Sequence, residues 1–115
     1  MSTDAYDTLE RFWNLQNSRD YTTVVELFAD DAVLVDPIFG TFEGREAIGA
    51  FMAKMNVEMG KLDAAFDLVE LSGGGDTAWA QWRVTTNDKP PREGVGVYRV
   101  RNGQITYYRD YMNAH

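Results

Sequence analysis

The spacing of the apolar residues changes at Gly60, and this change constrains the fold more than any other feature of the sequence. Before Gly60 apolar side chains recur every three or four residues, most clearly from 48 to 59, which is typical of an amphipathic helix. From 77 to 87 they alternate with polar residues, which is typical of a strand with one buried face. Helices followed by antiparallel strands predict an α+β domain in which the helices pack on one side of a sheet.

Glycine, proline and other turn residues divide this pattern into elements. Helical spacing predicts three helices, over 6–16, over a shorter segment capped by Asp20, and from 44 to 59. Strand spacing predicts five strands, over 32–36, 64–72, 77–87, 94–100 and 104–112. The dipeptide at 102–103, Asn-Gly, predicts a tight hairpin between the last two strands.

The composition excludes several kinds of site. No cysteine is present, and the only histidine is His115, the last residue. A thiolate nucleophile, a Ser-His-Asp triad and a multi-histidine metal centre are therefore not expected, and no metal or cofactor is predicted. The net charge of −7 repels phosphate, so we expect no nucleic-acid partner. The length of 115 residues predicts a single domain. The sequence has no signal-peptide pattern and no apolar run of about 20 residues, which predicts a cytoplasmic protein without a membrane partner.

A curved antiparallel sheet can leave a cavity on its concave side. Alternation sorts the strand residues into two faces but does not decide which face is concave. The first face carries Trp82, Val84, Gly96, Tyr98, Val100, Tyr108, Asp110 and Met112. The second face carries Ile105, Tyr107, Arg109 and Tyr111. We predict that the first face, together with Phe12, Phe39 and Met55, lines an apolar and aromatic pocket.

Two carboxylates are candidates for chemistry in this pocket. Asp36 ends an otherwise apolar strand immediately before Pro37, and apolar surroundings favour carboxyl groups that exchange protons near neutral pH. Aspartate is also common in turns that end strands, so Asp36 has a purely structural alternative. Asp110 would share the pocket if its face is concave, and would otherwise face solvent or pair with Arg99 or Arg109.

Five segments of the sequence resemble the nuclear transport factor two-like superfamily, namely 11–17, 27–32, 35–37, 44–48 and 103–111. Within it the resemblance is to ketosteroid isomerases and SnoaL-like polyketide cyclases, and the last segment also resembles limonene-epoxide hydrolases. The resemblance implies a cystatin-like cone, in which N-terminal helices pack on a curved, mostly antiparallel sheet that encloses a pocket. It further implies a single SnoaL-like domain over 1–115, a small hydrophobic ligand and a homodimer formed through the sheet.

The resemblance also implies roles for individual residues. Asp36 matches the general base of the ketosteroid isomerases, which moves a proton beside a carbonyl group. The tyrosine of their oxyanion hole falls on Phe12, and their protonated aspartate falls at or next to Gly96. Losing one such donor typically costs about a hundred- to a thousand-fold in rate. An efficient ketosteroid isomerase is therefore not expected, although Tyr98 or Tyr108 could supply a substitute phenol.

The last strand implies a different use of the same pocket. Asp110 matches an aspartate that takes part in acid–base chemistry in the cyclases and the epoxide hydrolases. The hydrolases add an arginine between two carboxylates, but Arg83 lies on the face opposite Trp82, so epoxide hydrolysis ranks lower. We predict an isomerase- or cyclase-like enzyme that moves a proton in a small hydrophobic carbonyl compound, steroid- or polyketide-like. The alternative is a non-catalytic domain of the same fold that binds a small ligand or a protein partner.

Overall fold

The computed structural model describes residues 4–18 and 21–112 of the chain. Asp20, the predicted cap of the second helix, and His115 lie outside these residues. The helices are α1 (Ala5–Asn17), α2 (Tyr21–Val25) and α3 (Arg45–Lys61). The strands are β1 (Phe28–Asp36), β2 (Gly40–Glu43), β3 (Ala65–Gly74), β4 (Thr77–Thr85), β5 (Arg92–Arg101) and β6 (Gln104–Met112).

The six strands form one curved sheet in the order β2-β1-β6-β5-β4-β3. Of the five neighbouring pairs, β1–β6 is parallel and the other four are antiparallel. Helix α1 packs across β3, β4 and β5, whereas α3 packs on β1 and β2. The predicted architecture, helices packed on a curved and mostly antiparallel sheet, is confirmed.

The side-chain oxygen of Asp4 caps α1 by accepting a hydrogen bond from the backbone nitrogen of Asp7 at 2.9 Å. The helix then buries a face that includes Phe12, whose ring is inaccessible to solvent. This ring meets the rings of Trp13, Phe28 and Tyr108 edge-on, at centroid distances of 6.2, 6.0 and 6.1 Å. Such edge-to-face pairs add about 0.5–1.5 kcal/mol each to the free energy of burial. The pairs with Phe28 and Tyr108 hold α1 on the sheet, whereas the pair with Trp13 lies within the helix.

The first part of the sheet differs from the prediction. Strand β1 begins at Phe28 rather than at 32, and β2 was not predicted. The start of β1 is tied to α3 by Arg45, which donates to the carbonyl of Phe28 at 2.8 Å and pairs with Asp30 at 3.1 Å. Strand β2 spans only four residues, which is too few for alternation to be recognised, and it forms an antiparallel hairpin with β1.

The predicted orientation of Ile105 is wrong. Ile105 is fully buried, although it was placed on the outer face with Tyr107. The register explains the difference, because Arg99 pairs with Tyr107 whereas the next residue, Val100, pairs with Ile105. One extra residue of β6, Thr106, therefore forms a bulge that reverses the alternation at this point.

No helix within residues 4–18 and 21–112 is both long enough and apolar enough to span a bilayer.

Candidate active site

A cavity lies between α3 and the inner face of the sheet. It consists of two adjoining lobes of about 140 Å³ and about 120 Å³. The walls of both lobes include Gln16, Asp36, Met55, Met59, Phe66, Tyr108 and Asp110. The cavity is thus an apolar chamber into which two carboxylates project, as ligand sites commonly combine an apolar wall with a few polar groups.

Asp110 is held by two hydrogen bonds from neighbouring side chains. The hydroxyl of Tyr108 donates to its Oδ2 at 2.7 Å, and the indole nitrogen of Trp82 donates to its Oδ1 at 3.3 Å. Gly96 lies directly across from Asp110 on β5, and a Cβ there would come within 3.0 Å of Oδ1. The absent side chain of Gly96 therefore leaves the space that the Asp110 carboxyl group occupies.

Burial raises the pKa of Asp110 from its ordinary value of 3.8 to about 7. The hydrogen bonds from Tyr108 and Trp82 oppose this shift because they favour the carboxylate. The negative charge of Asp36 contributes to the shift as a smaller cause. Near neutral pH, Asp110 is therefore present in both its neutral and its ionised form, which suits a group that exchanges protons.

Two tyrosines form a stacked pair beside Asp110. The rings of Tyr98 and Tyr108 are 4.2 Å apart with an interplanar angle of 27°. Burial raises the pKa of each hydroxyl well above 10, so both are neutral donors at physiological pH. Among the described residues the Tyr98 hydroxyl has no hydrogen-bond partner of good geometry, although Tyr108 and Trp13 lie close enough to oppose its pKa shift slightly.

Asp36 closes a turn and also lines the cavity. Its Oδ1 accepts hydrogen bonds from the backbone nitrogens of Ile38 and Phe39 at 2.8 and 3.0 Å, which closes the turn around Pro37. Its side chain also lines both lobes of the cavity. The turn uses Oδ1 and fixes the orientation of the carboxylate, and Oδ2 takes no hydrogen bond from a described residue.

The structure brings most of the predicted pocket residues together. The smaller lobe is lined by Phe39, Met55, Trp82, Tyr108 and Met112 as well as both carboxylates. Phe12 and Tyr98 do not line either lobe, contrary to the prediction, because both are fully buried behind the cavity wall. The Tyr108 ring lies between them and the cavity, stacked on Tyr98 and edge-on to Phe12.

Several lining residues were not predicted, most notably Gln16 and Arg92. Arg92 begins β5, two residues before the predicted start of that strand at Gly94. It shares the parity of Gly94 and Gly96, so extending the alternation by two residues would have found it. Gln16 lies one helical turn after Phe12 and Trp13, a position that the helical spacing places near the same face.

Arg83 does not take part in the site. Its guanidinium is half-exposed and pairs with Glu93 at 3.5 Å on the outer face of the sheet. The neighbouring residue, Trp82, is the one that reaches Asp110. The epoxide-hydrolase interpretation required Arg83 to lie between two carboxylates inside the cavity. Arg83 does not occupy that position.

Neither a metal site nor a second depression at the end of the sheet is supported as the candidate site. Within the described part of the chain, no three side chains of aspartate, glutamate or histidine come together as a metal site would require. A wider depression of about 850 Å³ lies at the end of the sheet where β5 turns into β6. Turn residues and exposed charged side chains line this depression, and neither candidate carboxylate reaches it.

Comparison with solved structures supports the same fold. A nuclear transport factor two-like protein of unknown function from Mesorhizobium loti is 26% identical, with a TM-score of 0.81 over 94% of this chain and 89% of that one. A candidate ketosteroid isomerase from Kribbella flavida is 20% identical, with a TM-score of 0.80 over 96% and 78%. A candidate polyketide cyclase from Sinorhizobium meliloti is 18% identical, with a TM-score of 0.76 over 91% and 94%. No curated protein matches the sequence.

The sequence model of the SnoaL-like domain matches residues 9–108, which include all three helices except the start of α1 and every strand except the end of β6. The matched region contains Asp36, Trp82 and Tyr108 but stops two residues before Asp110. The chain therefore belongs to the SnoaL-like domain family of the nuclear transport factor two-like superfamily.

Proposed function

We propose that this protein is an acid–base enzyme that moves a proton at a carbon beside the carbonyl group of a small apolar molecule. One observation carries the proposal: Asp36 and Asp110 line the same apolar cavity, and the pKa of Asp110 is raised to about 7. A carboxyl group with this pKa is partly neutral near neutral pH, so it can donate its proton in a hydrogen bond, while the second carboxylate acts as the base. The apolar wall suits a substrate that is mostly hydrocarbon.

In the proposed reaction Asp36 is the general base. Its carboxylate removes a proton from the carbon beside the carbonyl, and the electron pair of that C–H bond forms the enolate double bond. The carbonyl oxygen then carries the negative charge. When Asp36 returns the proton to a different carbon of a conjugated substrate, the reaction is an isomerisation. When the acid proton of Asp36 first exchanges with a solvent proton, which is then delivered to the same carbon, the reaction is a proton exchange without a net change in composition.

The Tyr108 hydroxyl is proposed to stabilise this enolate oxygen. When Asp110 is ionised, the Tyr108 proton points to its Oδ2 over 2.7 Å and is not free. When Asp110 is neutral, the acid proton can be donated to the Tyr108 oxygen, which leaves the phenol proton free to face the cavity. The active form is therefore the one with neutral Asp110, and Tyr108 takes the place of the donor that Phe12 lacks.

This arrangement also supplies an acidic group close to Gly96, where the sequence has no acidic side chain at the expected position. The resemblance to ketosteroid isomerases required a protonated aspartate at or next to Gly96. Asp110 is the cross-strand neighbour of Gly96, and its carboxyl group approaches the position of the absent Cβ. We infer that β6 provides the acidic group that β5 lacks.

A second candidate function is a binding domain without catalysis. It is favoured by the hydrogen bonds that the carboxylates already accept, from the turn at Asp36 and from Tyr108 and Trp82 at Asp110. Such a domain would bind an apolar molecule in the same cavity and leave its C–H bonds intact. Binding and proton exchange must therefore be measured separately.

The test uses two small ketones, 2-tetralone and 3-cyclohexen-1-one. We expect the wild type to catalyse exchange of the 2-tetralone C–H protons with deuterium oxide, followed by NMR, and conversion of 3-cyclohexen-1-one to its conjugated isomer, followed by absorbance. The double variant Asp36→Asn/Asp110→Leu should do neither. Ketone binding by the wild type, seen as a change in tryptophan fluorescence but without exchange or isomerisation, would support the binding domain instead.

We further propose a homodimer formed through the outer face of the sheet. This face exposes 47% of Trp79 and 51% of Tyr111. Two of its arginines, Arg99 on β5 and Arg109 on β6, stack over tyrosine rings, whereas Asp67 lies on β3 and Arg83 on β4 is paired with Glu93. A two-fold axis along the strands would place the β3 side of one copy over the β6 side of the other, so opposite charges would meet around an aromatic centre.

Trp79→Glu is expected to convert this dimer to a monomer, because it places a charge in the apolar centre of the interface. Light scattering after size-exclusion chromatography should give twice the chain mass of 13.0 kDa for the wild type and the single chain mass for the variant. The matched control is Val57→Glu on α3, where the side chain is 58% exposed and lies away from the sheet. A monomeric wild type would contradict the proposal, as would equal dissociation by both variants.

A further inference from the structure

One cationic side chain, that of Arg92, contributes to the walls of the two lobes as the structure describes them. Arg92 is the first residue of β5 and lines the smaller lobe together with Asp36, Asp110 and Trp82. The proposed proton transfer assigns it no role. Because arginine is charged at every physiological pH, its presence changes which ligands this lobe can hold.

The Nε atom of Arg92 is buried and has no hydrogen-bond acceptor among the described residues. Arg92 also differs from the arginines that pair with carboxylates, since Arg45 lies 3.1 Å from Asp30 and Arg83 lies 3.5 Å from Glu93. No carboxylate of the described chain comes within ion-pair distance of Arg92. Most buried N–H groups in proteins find an acceptor, so an unpaired guanidinium N–H beside a cavity is available to an acceptor atom of a ligand.

Asp88 does not neutralise Arg92. The carboxylate of Asp88 is exposed and accepts a hydrogen bond from the Thr86 hydroxyl at 2.7 Å. This hydrogen bond is the main cause of the lowered pKa of Asp88, and the charge of Arg92 is the smallest of its causes. The positive charge of Arg92 therefore remains available to the cavity.

The side chains next to Arg92 describe the rest of the ligand. Ile38 and Phe39 line the same lobe and are 67% and 51% exposed, so they form an apolar rim. Met112 and Val84 also contribute apolar surface. A molecule that fits this lobe has an apolar body and one group that can accept hydrogen bonds from a guanidinium, which carboxylates do with two parallel bonds.

We propose that Arg92 anchors a carboxylate group of the ligand, so that the cavity takes small apolar carboxylic acids. The proposal rests on the proposed function only in placing the ligand in the same cavity. It adds a specificity-determining residue, because without Arg92 the carboxylates of Asp36 and Asp110 would repel such an anion. The test measures binding and not turnover. The carboxylate anchor can therefore be disproved without affecting the proposed proton transfer, and the proton transfer can be disproved without affecting the anchor.

The probes are benzoate and its neutral analogue benzamide, titrated into the full chain by isothermal titration calorimetry. We expect the wild type to bind benzoate at least about tenfold more tightly than benzamide, a difference of about 1.4 kcal/mol. Arg92→Met should remove this preference by weakening benzoate binding while leaving benzamide binding within about twofold. Arg83→Met is the matched control, because it removes the same charge from the outer face, and it should keep the preference.

Three results would overturn the proposal. They are benzoate binding no tighter than benzamide binding in the wild type, no detectable benzoate binding to the wild type, and equal loss of benzoate binding in Arg92→Met and Arg83→Met. Arg92→Lys provides a second variant should Arg92→Met unfold, since it keeps the charge without the planar pair of donors. Arg92→Lys is expected to retain part of the preference for benzoate over benzamide. Full retention of this preference, or its complete loss in a variant with an unchanged melting temperature, would also contradict an anchor with two parallel hydrogen bonds.

Discussion

Asp110→Asn is expected to remove about 2.5 kcal/mol of the pH dependence of the free energy of unfolding between pH 5 and pH 8. In the folded protein the pKa of Asp110 is raised from 3.8 to about 7, mainly by burial. The folded state therefore binds more protons than the unfolded state between these two pKa values. Stability contributed by neutral Asp110 is fully present below about pH 4 and is lost as the pH rises through about 7. Asparagine has no proton to lose, so the variant should lack this decline.

The measurement is urea unfolding at several pH values, at one protein concentration so that dimer formation does not enter the comparison. For a domain of this size, the difference corresponds to about 10 °C in melting temperature. Between pH 5 and pH 8 the melting temperature of the wild type should therefore fall by about 10 °C more than that of the variant. Asp31→Asn serves as the control because it removes a charge from an exposed position on β1. Parallel pH curves for the wild type and Asp110→Asn would show that Asp110 ionises normally.

The sequence predicted the architecture well because apolar periodicity reports directly on which face of an element is buried. The switch at Gly60 separated α3 from the strands that follow it, and the parity of β4 and β5 placed Trp82 and Gly96 on one face, which in the structure is the buried one. Parity failed at Ile105 because a single bulged residue reverses it, and nothing in the local sequence marks that bulge. Strand β2 was missed because four residues carry too little pattern.

The candidate site was harder to predict because its properties come from residues that are distant in sequence. Asp36 was the first candidate because its strand neighbours are apolar, but adjacent strand residues point to opposite faces and do not surround each other. The surroundings of Asp110 are set by Trp82 from β4 and by the space above Gly96 on β5. Only the sheet register brings these residues together, so the raised pKa of Asp110 emerged only from the structure.

Depth was the second quantity that the sequence could not provide. Alternation placed Tyr98 and Tyr108 on the same face, which is correct, and both belong to neighbouring strands in direct register. It could not show that Tyr98 lies behind Tyr108, with its hydroxyl fully buried, whereas Tyr108 reaches the cavity. This difference decides which phenol can meet a substrate, and Tyr108 is the one to which the proposed reaction assigns the oxyanion.

Asp36→Asn is expected to lower the rate of ketone isomerisation by about 10³-fold, since general-base catalysis typically contributes about 10²–10⁴-fold. The amide can still accept the hydrogen bonds from Ile38 and Phe39, so the turn and the melting temperature should change little. Tyr108→Phe is expected to cost about 10²-fold or more, because it removes the donor to the enolate oxygen. Asp31→Asn should leave the rate unchanged.

Asp110→Asn is expected to behave differently from both, and this difference tests the proposed roles most sharply. Its amide nitrogen can donate to the Tyr108 oxygen permanently, as only neutral Asp110 does, while its oxygen still accepts from Trp82. The wild-type kcat/KM should fall about tenfold for each pH unit above the Asp110 pKa of about 7, because the ionised form withdraws the Tyr108 proton from the substrate. The variant should keep at least about a tenth of the wild-type rate at pH 6 and show no decline between pH 7 and pH 9.

If Asp110→Asn were instead as inactive as Asp36→Asn at every pH, Asp110 would itself carry the transferred proton, and the roles of the two carboxylates would have to be exchanged.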